Sequence, residues 1–357
     1  MQILDQKTYD FDDVLIRPRH SEISSREEVN TTVSYICKHA GVQIRGCPVI
    51  VANMDTCGSI NMAKALHEYK IFVALHKYYD PKDLIEFFKT QKSEYSFYTL
   101  GISNDDMYKL KHVSGYAPIK RICLDVANGY MYSFLDKIKH TRTLFQDAII
   151  MAGNVATPEG VENIIKAGAD CAKCGIANGG YCDSKHKTGI GLRQFTVAQE
   201  CGQAAQELNA LCCSDGGIRE IGDICKCLGA GAHFTMCGSL FCGYEECDGE
   251  WDYEYKSNIS YGSGQEPREI WVKESVPLAE KRKYRLKVYG MSSRAANDKY
   301  NGGLKTYRTS EGKEGYVEYK GPVSELAIDI KGGLASCCSY VGVKNLENLY
   351  KYCVFTI

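Results

Sequence analysis

Short apolar segments rich in β-branched residues alternate along the chain with longer amphipathic stretches. Apolar runs bounded by glycine or polar turn residues are typical of buried parallel strands, and the stretches between them are typical of helices that cover a sheet. Eight strands are predicted on this basis: Pro48–Asn53, Ile71–Leu75, Phe97–Gly101, Arg121–Asp125, Ala148–Ala152, Asp170–Cys174, Leu211–Ser214 and Phe234–Cys237. Helices are predicted over Asn61–Tyr69, Pro81–Thr90, Pro158–Ala167 and Gln194–Glu207.

Eight strands that alternate with helices favour an α/β fold of the (β/α)8 barrel type, with an open doubly wound sheet as the alternative. The polar residues support the barrel, because they fall where the predicted strands end, at the face on which barrel active sites are built. They are Asn53, Asp55, His76, Lys77, Asp125, Asn128, Gly153, Asn154, residues 175–182, Asp215, Gly216, Gly217, Gly238 and Ser239. Any one of them can equally be an ordinary turn or cap residue.

The pattern predicts one barrel domain over residues 1–357. Residues 1–47 are an N-terminal extension, and residues 48–243 carry barrel strands one to eight. Residues 244–288 are charged and aromatic without a clear period, which indicates an inserted excursion, such as a hairpin. Residues 289–342 are rich in Gly and Ser, which suggests an active-site flap and nucleotide-binding segment. Residues 343–357 form a C-terminal tail.

The composition argues against a nucleic-acid-binding protein, a membrane protein and a secreted protein. The 43 Lys and Arg residues nearly balance the 44 Asp and Glu residues, for a net charge of −1, so no nucleic-acid partner and no anionic membrane surface is expected. No apolar run approaches the roughly 20 residues that span a bilayer. The start of the chain lacks a basic segment followed by an apolar one, and 18 cysteines in so long a chain suggest a reduced, cytoplasmic protein.

Cys182 is the candidate nucleophile. It lies in the Gly-rich segment GIANGGYCDSKHKTGIG, where Lys185, His186 and Lys187 provide nearby cations that favour the reactive thiolate. Most of the other cysteines fit the role of small buried apolar residues. Cys171 and Cys174 have CxxC spacing, but in a strand their odd offset points them to opposite faces, so a shared metal or disulfide is not expected.

The glycines after the last two predicted strands have the position at which barrels bind phosphate through backbone amides. Asp215 is followed by Gly216 and Gly217, and Gly238 is followed by Ser239. Asp215 can accept hydrogen bonds from a ribose diol. Tight turns between strand and helix would use the same residues.

Several motifs together resemble a known superfamily. They are YDFDDVLIRP, PVIVANMD, CLDVANGY, IMAGNVATPEGVENIIKAGADCAKCGI, SDGGI, GAHFTMCGSL, YGMSS and GGLASCCSYVG. Along nearly the whole chain they resemble the IMP dehydrogenase and GMP reductase superfamily. Within it, HKYY at residues 76–79, RTSEG at residues 308–312 and SCCSYVG at residues 336–342 resemble the reductase branch. The interval between the second and fourth strands leaves no room for the paired regulatory CBS domains that most IMP dehydrogenases carry.

The resemblance implies a homotetrameric enzyme that converts GMP to IMP and ammonia with NADPH. By the family pattern, the Cys182 thiolate attacks purine C2, ammonia leaves a thioimidate, hydride arrives from NADPH and the thiolate departs. Ser184 and Glu311 handle the proton of the departing amine. Some site residues are expected to come from a neighbouring subunit.

The resemblance also assigns binding residues. Those for GMP are Asp215, Gly216, Gly217, Gly238, Ser239, Gly290, Met291, Ser292, Arg308, Thr309, Ser310, Glu311 and Gly312. Those for NADPH are Ser25, Arg26, Lys77, Asp125, Val126, Ala127, Tyr307, Arg308, Ser336, Cys337, Cys338 and Ser339, with Arg26 and Lys77 as partners of the adenosine 2′-phosphate. A potassium ion held by carbonyls of Ala177, Gly179 and Cys182 is implied as well.

The catalytic loop departs from the family pattern GxGPGSxC, because Ala177, Asn178 and Gly180 replace its Gly, Pro and Ser. Loss of that serine removes a phosphate hydrogen bond, and Asp183 adds a negative charge beside the nucleophile. Two alternatives therefore stay open. One is an IMP dehydrogenase that oxidises IMP to XMP with NAD, although the Arg-Tyr pair it needs is absent and Tyr307-Arg308 has the reverse order. The other is a catalytically weak nucleotide-binding homologue.

Overall fold

Eight parallel strands close into a barrel in this computed structural model, which describes residues 3–259, 268–277 and 279–357. In chain order the strands are β1 (Leu15–Ile16), β2 (Val33–Ile36), β3 (Gln43–Val51), β4 (Ile71–Ala74), β5 (Ser96–Leu100), β6 (Arg121–Asp125), β7 (Ile149–Val155), β8 (Cys171–Cys174), β9 (Leu211–Asp215), β10 (Phe234–Cys237), β11 (Trp251–Ile259), β12 (Arg268–Val272), β13 (Lys281–Tyr289), β14 (Glu314–Glu318) and β15 (Phe355–Thr356). Strands β3 to β10 pair in order, and β10 pairs with β3 to close the barrel. All eight predicted barrel strands are confirmed, and the doubly wound alternative is wrong.

The helices are α1 (Ile60–Leu66), α2 (Pro81–Phe88), α3 (Asn104–Ser114), α4 (Tyr132–Leu144), α5 (Pro158–Lys166), α6 (Ser184–Thr188), α7 (Gln194–Glu207), α8 (Ile221–Gly229), α9 (Arg294–Tyr300), α10 (Val323–Val341) and α11 (Leu349–Tyr352). The four predicted helices are confirmed as α1, α2, α5 and α7. In α5 the Thr157 side chain accepts a hydrogen bond from the Gly160 amide, and Pro158 begins the helix.

The apolar strand residues explain why the barrel forms. All four side chains of β4 and all five of β5 are buried, as expected for strands covered on both faces. The rings of Phe72 and Phe97 lie 6.1 Å apart and those of Phe72 and Phe234 lie 5.7 Å apart, so aromatic side chains of three strands contact each other. With its helices outside and its core inside, the barrel presents the carboxyl ends of eight strands at one face.

The chain between β10 and α10 builds a second sheet. Its strands are antiparallel in the order β12, β11, β13, β14, so three strands come from the predicted excursion and one from the predicted flap. The excursion carries more structure than a single hairpin, and part of it, residues 260–267 and residue 278, lies outside the described residues.

The last part of the predicted flap is a helix. Helix α10 packs against α8 and α1 on the outside of the barrel. Its buried residues are Val323, Leu326, Ala327, Ile330, Leu334, Cys338 and Val341, a stripe with helical spacing. The Gly and Ser residues within it predict a loop, but the apolar stripe determines the structure.

Candidate active site

A cavity of about 260 Å³ opens where the barrel strands end. Of the predicted catalytic and nucleotide-binding residues, it brings together Cys182, Ser184, Asp215, Gly216, Gly217, Gly238, Ser239, Gly290, Met291, Ser292 and Glu311, and beside them Asp125, Val126, Ala127, Ala177 and Gly179. These residues come from the ends of four barrel strands, β6, β8, β9 and β10, and the loops that follow them, and from the flap. The location is the one at which barrel enzymes carry their active sites.

Cys182, Ser184 and Glu311 form a hydrogen-bonded chain. The Cys182 thiol donates to the Ser184 hydroxyl at 3.3 Å, and that hydroxyl donates to Oε2 of Glu311 at 2.5 Å. Glu311 comes from the flap, 127 positions further along the chain than Ser184. A thiol linked through a hydroxyl to a carboxylate can lose its proton towards that carboxylate, which is the arrangement that an activated nucleophile needs.

Backbone hydrogen bonds join the flap to the catalytic loop. The Asp183 amide donates to the Glu311 carbonyl at 2.6 Å, and the Lys313 amide donates to the Tyr181 carbonyl at 2.9 Å. Cys182 and Gly312 form an isolated antiparallel bridge between these bonds. The position of Glu311 relative to Cys182 is therefore set by the backbone as well as by side chains.

The Asp183 carboxylate lies between two cations. Its oxygens are 3.7 Å from Nζ of Lys313 and 3.9 Å from Nζ of Lys187. Residue 187 follows one helical turn after Asp183, while Lys313 comes from the flap. The negative charge that the sequence places next to Cys182 is thus accompanied by two positive charges.

Asn178, where the family pattern has proline, ties the catalytic loop to the barrel. Its side-chain amide donates to Oε1 of Gln194 at 2.7 Å, and Gln194, which is fully buried, donates to the Ser214 hydroxyl at 2.8 Å. The Gly217 amide donates to the Asn178 carbonyl at 2.9 Å. Gly217 and Gly216 have φ values of 77° and 101°, and a Cβ on Gly216 would lie 3.1 Å from the Gly179 amide nitrogen. Glycine is therefore required where these loops meet.

A buried lysine holds the two carboxylates at the floor of the cavity. Nζ of Lys173 lies 2.7 Å from Oδ1 of Asp125 and 2.7 Å from Oδ2 of Asp215, and its side chain is 2% exposed. Asn53 donates to Asp125 at 3.1 Å and Asn154 donates to Asp215 at 2.8 Å. The residue predicted for the cofactor and the residue predicted for the ribose therefore share one cation.

The charges at this floor determine its protonation. Burial lowers the pKa of Lys173, but the charges of Asp125 and Asp215 raise it more, and the net result is a pKa well above the usual value. Burial raises the pKa of Asp125, but the charge of Lys173 and its hydrogen bond lower it more, to below the usual value. The lysine is therefore charged and Asp125 ionised at neutral pH.

Sequence reasoning missed Lys173 as a site residue, whereas Asn53 and Asn154 were named only as polar residues at the ends of predicted strands. The signal for Lys173 was present, since it is the charged residue within CAKC, an otherwise apolar segment that follows Asp170. A charged residue inside a predicted buried strand needs a partner of opposite charge. The identity of those partners depends on β9, which pairs with β8, and on β6, which lies two strands away on the other side of β7.

Other predicted residues lie outside the cavity. They are Ser25, Arg26, Lys77, Tyr307, Arg308, Thr309, Ser310, Gly312, Ser336, Cys337, Cys338 and Ser339. Ser25 caps a short 3₁₀ turn over Arg26–Glu28, and this turn packs against α10, which carries residues 336–339. Tyr307 is 79% exposed, and Arg308 lines a separate cavity with Arg294 and Lys305.

Cys338 does not fit its predicted role. Its side chain is fully buried on the inner face of α10, so it cannot reach a cofactor at the surface. The neighbouring Cys337 is half-buried, and it lies near Cys225 of α8. The cofactor contact of Ser336, Cys337 and Ser339 stays a prediction.

One of the three carbonyls predicted to hold potassium accepts a hydrogen bond within the protein. The Gly179 carbonyl accepts a hydrogen bond from the Cys182 amide at 2.9 Å, and Ala177 has a φ of 68°. The potassium site stays a prediction. Over the ranges that the structure describes, no three His, Cys, Asp or Glu side chains are grouped as a metal site.

All 18 cysteines lie in described parts of the chain and are free thiols. Fifteen are buried, and Cys182, Cys337 and Cys353 are half-buried. Within residues 3–259, 268–277 and 279–357, no helix has both the length and the apolar character required to cross a membrane.

Comparisons with known proteins give consistent matches. The family model described as "IMP dehydrogenase / GMP reductase domain" matches residues 8–357. A protein named GMP reductase from Buchnera aphidicola subsp. Schizaphis graminum (strain Sg) is 40% identical over 359 residues, which cover 99% of this chain and 95% of the relative. Proteins of the same name from Vibrio vulnificus (strain YJ016) and Onchocerca volvulus are 38% and 37% identical, over 99% and 97% of this chain and 96% and 90% of their own lengths.

Proposed function

The chain belongs to the IMP dehydrogenase and GMP reductase family, and from this premise we propose that it catalyses the reductive deamination of GMP to IMP and ammonia, with NADPH as the reductant. The observation that carries the proposal is the hydrogen-bonded chain from Cys182 through Ser184 to Glu311, at the edge of a cavity that also holds Asp215. The names of relatives at 37% to 40% identity support the same activity.

GMP binds in the cavity with its reactive C2 towards Cys182. The Asp215 carboxylate accepts hydrogen bonds from the ribose diol, and its position is set by Lys173 and Asn154. Backbone amides of Gly216, Gly217, Gly238 and Ser239 receive the phosphate, since glycine allows the backbone to approach an anion closely. Gly290, Met291 and Ser292 of the flap border the same cavity and cover the base.

In the first step the Cys182 sulfur forms a bond to C2, and the proton of the thiol passes to the Ser184 hydroxyl while the Ser184 proton passes to the Glu311 carboxylate. The bond between C2 and the exocyclic nitrogen then breaks, and the same proton returns through Ser184 to the departing amine, which leaves as ammonia. The product is a thioimidate on Cys182. Splitting the displacement in this way replaces one difficult step by two easier ones.

The nicotinamide nucleotide fits the part of the cavity beside Cys182. Asp125, Val126 and Ala127 line it there, and the half-buried carboxylate of Asp125 keeps its charge through Lys173. When bound, this group would supply hydride to C2, and the bond between C2 and the Cys182 sulfur would then break, which releases IMP and restores the thiolate. Lys77 and Arg26 offer cations for the 2′-phosphate, which would favour NADPH over NADH.

The active form is a homotetramer in the cytoplasm, in which the exposed Tyr307 and Arg308 reach the nucleotide of a neighbouring subunit. Their place outside their own subunit's cavity supports this arrangement. Sedimentation analysis and subunit-mixing experiments with Arg308→Ala chains test it, because complementation between variants needs a shared site.

The direct test follows NADPH absorbance on addition of GMP, together with assays of IMP and ammonia. We expect equal amounts of both products, and no turnover by Cys182→Ala, because the thiol forms the bond to C2. Cys353→Ala is the matched control, as another half-buried cysteine far along the chain. Turnover by Cys182→Ala would overturn the mechanism, and NAD-dependent oxidation of IMP without any reduction of GMP would overturn the activity.

A further inference from the structure

The flap depends on a contact that holds it against the barrel. Glu311 and the segment Gly290–Ser292 belong to the chain between β10 and α10, whereas Cys182 and Ser184 belong to a barrel loop. The chain from Ser184 to Glu311 exists only while both segments keep their relative positions. A buried carboxylate outside the cavity, Asp55, makes the contact that can maintain them.

Asp55 lies just after β3 at the mouth of the barrel and is 3% exposed. Its Oδ2 atom accepts three hydrogen bonds, from the Tyr289 hydroxyl at 2.6 Å, the Tyr300 hydroxyl at 2.7 Å and Nζ of Lys299 at 3.1 Å. Its Oδ1 atom is buried without a donor among the residues that the structure describes. One barrel carboxylate is thus bound by three donors from a single segment of the flap.

These donors stand at both ends of that segment. Tyr289 is the last residue of β13 and directly precedes Gly290, and Tyr300 ends α9. The ring of Tyr300 also stacks on the ring of Tyr78 from the barrel, with centroids 3.6 Å apart. Asp55 and Tyr78 therefore hold the segment Tyr289–Tyr300 at its beginning and its end.

The segment is in turn bonded to Glu311. The Glu311 amide donates to the Ser292 carbonyl at 3.2 Å, and the Gly290 amide donates to the Lys313 carbonyl at 3.0 Å. A continuous set of hydrogen bonds therefore runs from Asp55 through Tyr289 and residues 290–292 to Glu311, and from Glu311 to Ser184.

We propose that Asp55 is a positioning residue, which holds the segment Tyr289–Tyr300 so that Gly290–Ser292 border the nucleotide and Glu311 reaches Ser184. Asp55 does not line the cavity and takes no part in bond making. The effect of Asp55 on the turnover of GMP rests on the function proposed above, but its effect on the position of the flap does not. A charged acceptor strengthens all three hydrogen bonds, and a buried carboxylate with a cationic partner tolerates no neutral substitute without loss.

The test uses Tyr300→Phe and Asp55→Asn, with Tyr79→Phe as the matched control. Tyr79 also donates from its hydroxyl to a carboxylate, Oδ2 of Asp248 at 2.6 Å, but it has no contact with the segment Tyr289–Tyr300 among the hydrogen bonds of the described residues. Each tyrosine variant loses one hydroxyl, so a general loss of stability affects both. Only Tyr300→Phe removes a hydrogen bond that holds the segment Tyr289–Tyr300.

Hydrogen exchange of residues 289–318 gives the readout that does not depend on activity. We expect faster exchange there in Tyr300→Phe and Asp55→Asn and unchanged exchange in Tyr79→Phe. In the kinetic arm, kcat/KM for GMP should fall roughly tenfold or more in Tyr300→Phe and less than about twofold in the control, as expected for loss of a hydrogen bond to a charged group. Tyr300→Phe carries the test if Asp55→Asn does not fold.

Equal exchange of residues 289–318 in Tyr300→Phe and Tyr79→Phe would overturn the proposal. Faster exchange with unchanged kcat/KM would also overturn it, because the segment would then not set the position of Glu311. If the wild-type protein does not turn over GMP, the proposed function fails while the exchange arm still decides whether Asp55 holds the flap. The rate at which iodoacetamide modifies Cys182 then replaces the kinetic arm, with a rate that differs from the wild type expected in Tyr300→Phe and an unchanged rate expected in Tyr79→Phe.

Discussion

Lys173 is the single residue on which the polar floor of the cavity depends most directly. It is buried, and both of its carboxylate partners are at 2.7 Å. Two carboxylates that face one small cavity repel each other, and a shared cation removes this repulsion. The same cation lowers the pKa of Asp125 and keeps that carboxylate ionised, as the proposed contact to the cofactor requires.

Replacing Lys173 by methionine removes the charge and keeps much of the volume. We expect the free energy of unfolding to fall by about 3–5 kcal/mol, because removing one partner of a buried ion pair leaves uncompensated charge. Lys173→Arg keeps the cation and should lose less. Urea denaturation of both variants, and of Lys173→Met combined with Asp215→Asn, measures the effect. A double variant no more stable than Lys173→Met would contradict the shared-cation account.

Single residues also show which parts of the site could be predicted from the sequence and which could not. Cys182, Ser184 and Glu311 were identified through motifs, and the structure brings them into one hydrogen-bonded chain. Asp55 appeared only as a polar residue after a strand, and nothing local links it to Tyr289 or Tyr300, more than 230 positions away. Contacts between distant segments depend on the fold, and one sequence does not contain that information.

At the level of elements, the barrel strands were predictable because a strand that is buried on both faces consists of consecutive apolar residues. Helix α7 was predicted with the bounds that the structure has, since its polar flanks are clear. Helix α10 was not, because Gly332 and Gly333 are poor helix formers and the motif around them suggested a loop. Packing against α8 and α1 outweighs this local preference.

These two glycines give a prediction about α10. A Cβ on Gly333 would lie 2.4 Å from Cγ2 of Ile221, whereas a Cβ on Gly332 would have nothing within 4 Å. We expect Gly333→Ala to lower the free energy of unfolding by about 1–3 kcal/mol through overpacking. Gly332→Ala should raise it by about 0.5–1 kcal/mol, because alanine loses less entropy in a helix. Urea denaturation measures both, and a stabilising Gly333→Ala would show that α10 does not pack as described.

Across the whole molecule, buried neutral histidines affect stability at acid pH. Burial lowers the pKa of His233 to about 4 from an ordinary value of 6.5, and the pKa of His76 likewise to about 4. Between pH 6.5 and 4 the unfolded chain therefore binds protons that the folded chain does not. Stability from this source is complete above pH 6.5 and falls as the pH decreases towards 4.

His233→Asn tests this, since its side-chain oxygen can replace Nδ1 as acceptor for the Cys212 amide, now at 3.1 Å. The free energy of unfolding of the variant minus that of the wild type should be more positive at pH 4.5 than at pH 7. The increase should reach up to about 2 kcal/mol. Urea denaturation at the two pH values gives the difference. A difference that does not change with pH would mean that His233 is not held neutral in the folded protein.

In the proposed reaction Cys182 forms a covalent bond to purine C2, and mass spectrometry of the trapped protein detects that bond. With IMP and NADP+ but no ammonia, the reaction run in reverse stops at the thioimidate, because nothing is present to displace the sulfur. We expect a chain heavier by the mass of IMP less two hydrogen atoms, with the added mass on the peptide that contains Cys182 and absent from Cys182→Ala. An unmodified chain that nevertheless turns over GMP, or an adduct on another cysteine, would contradict it.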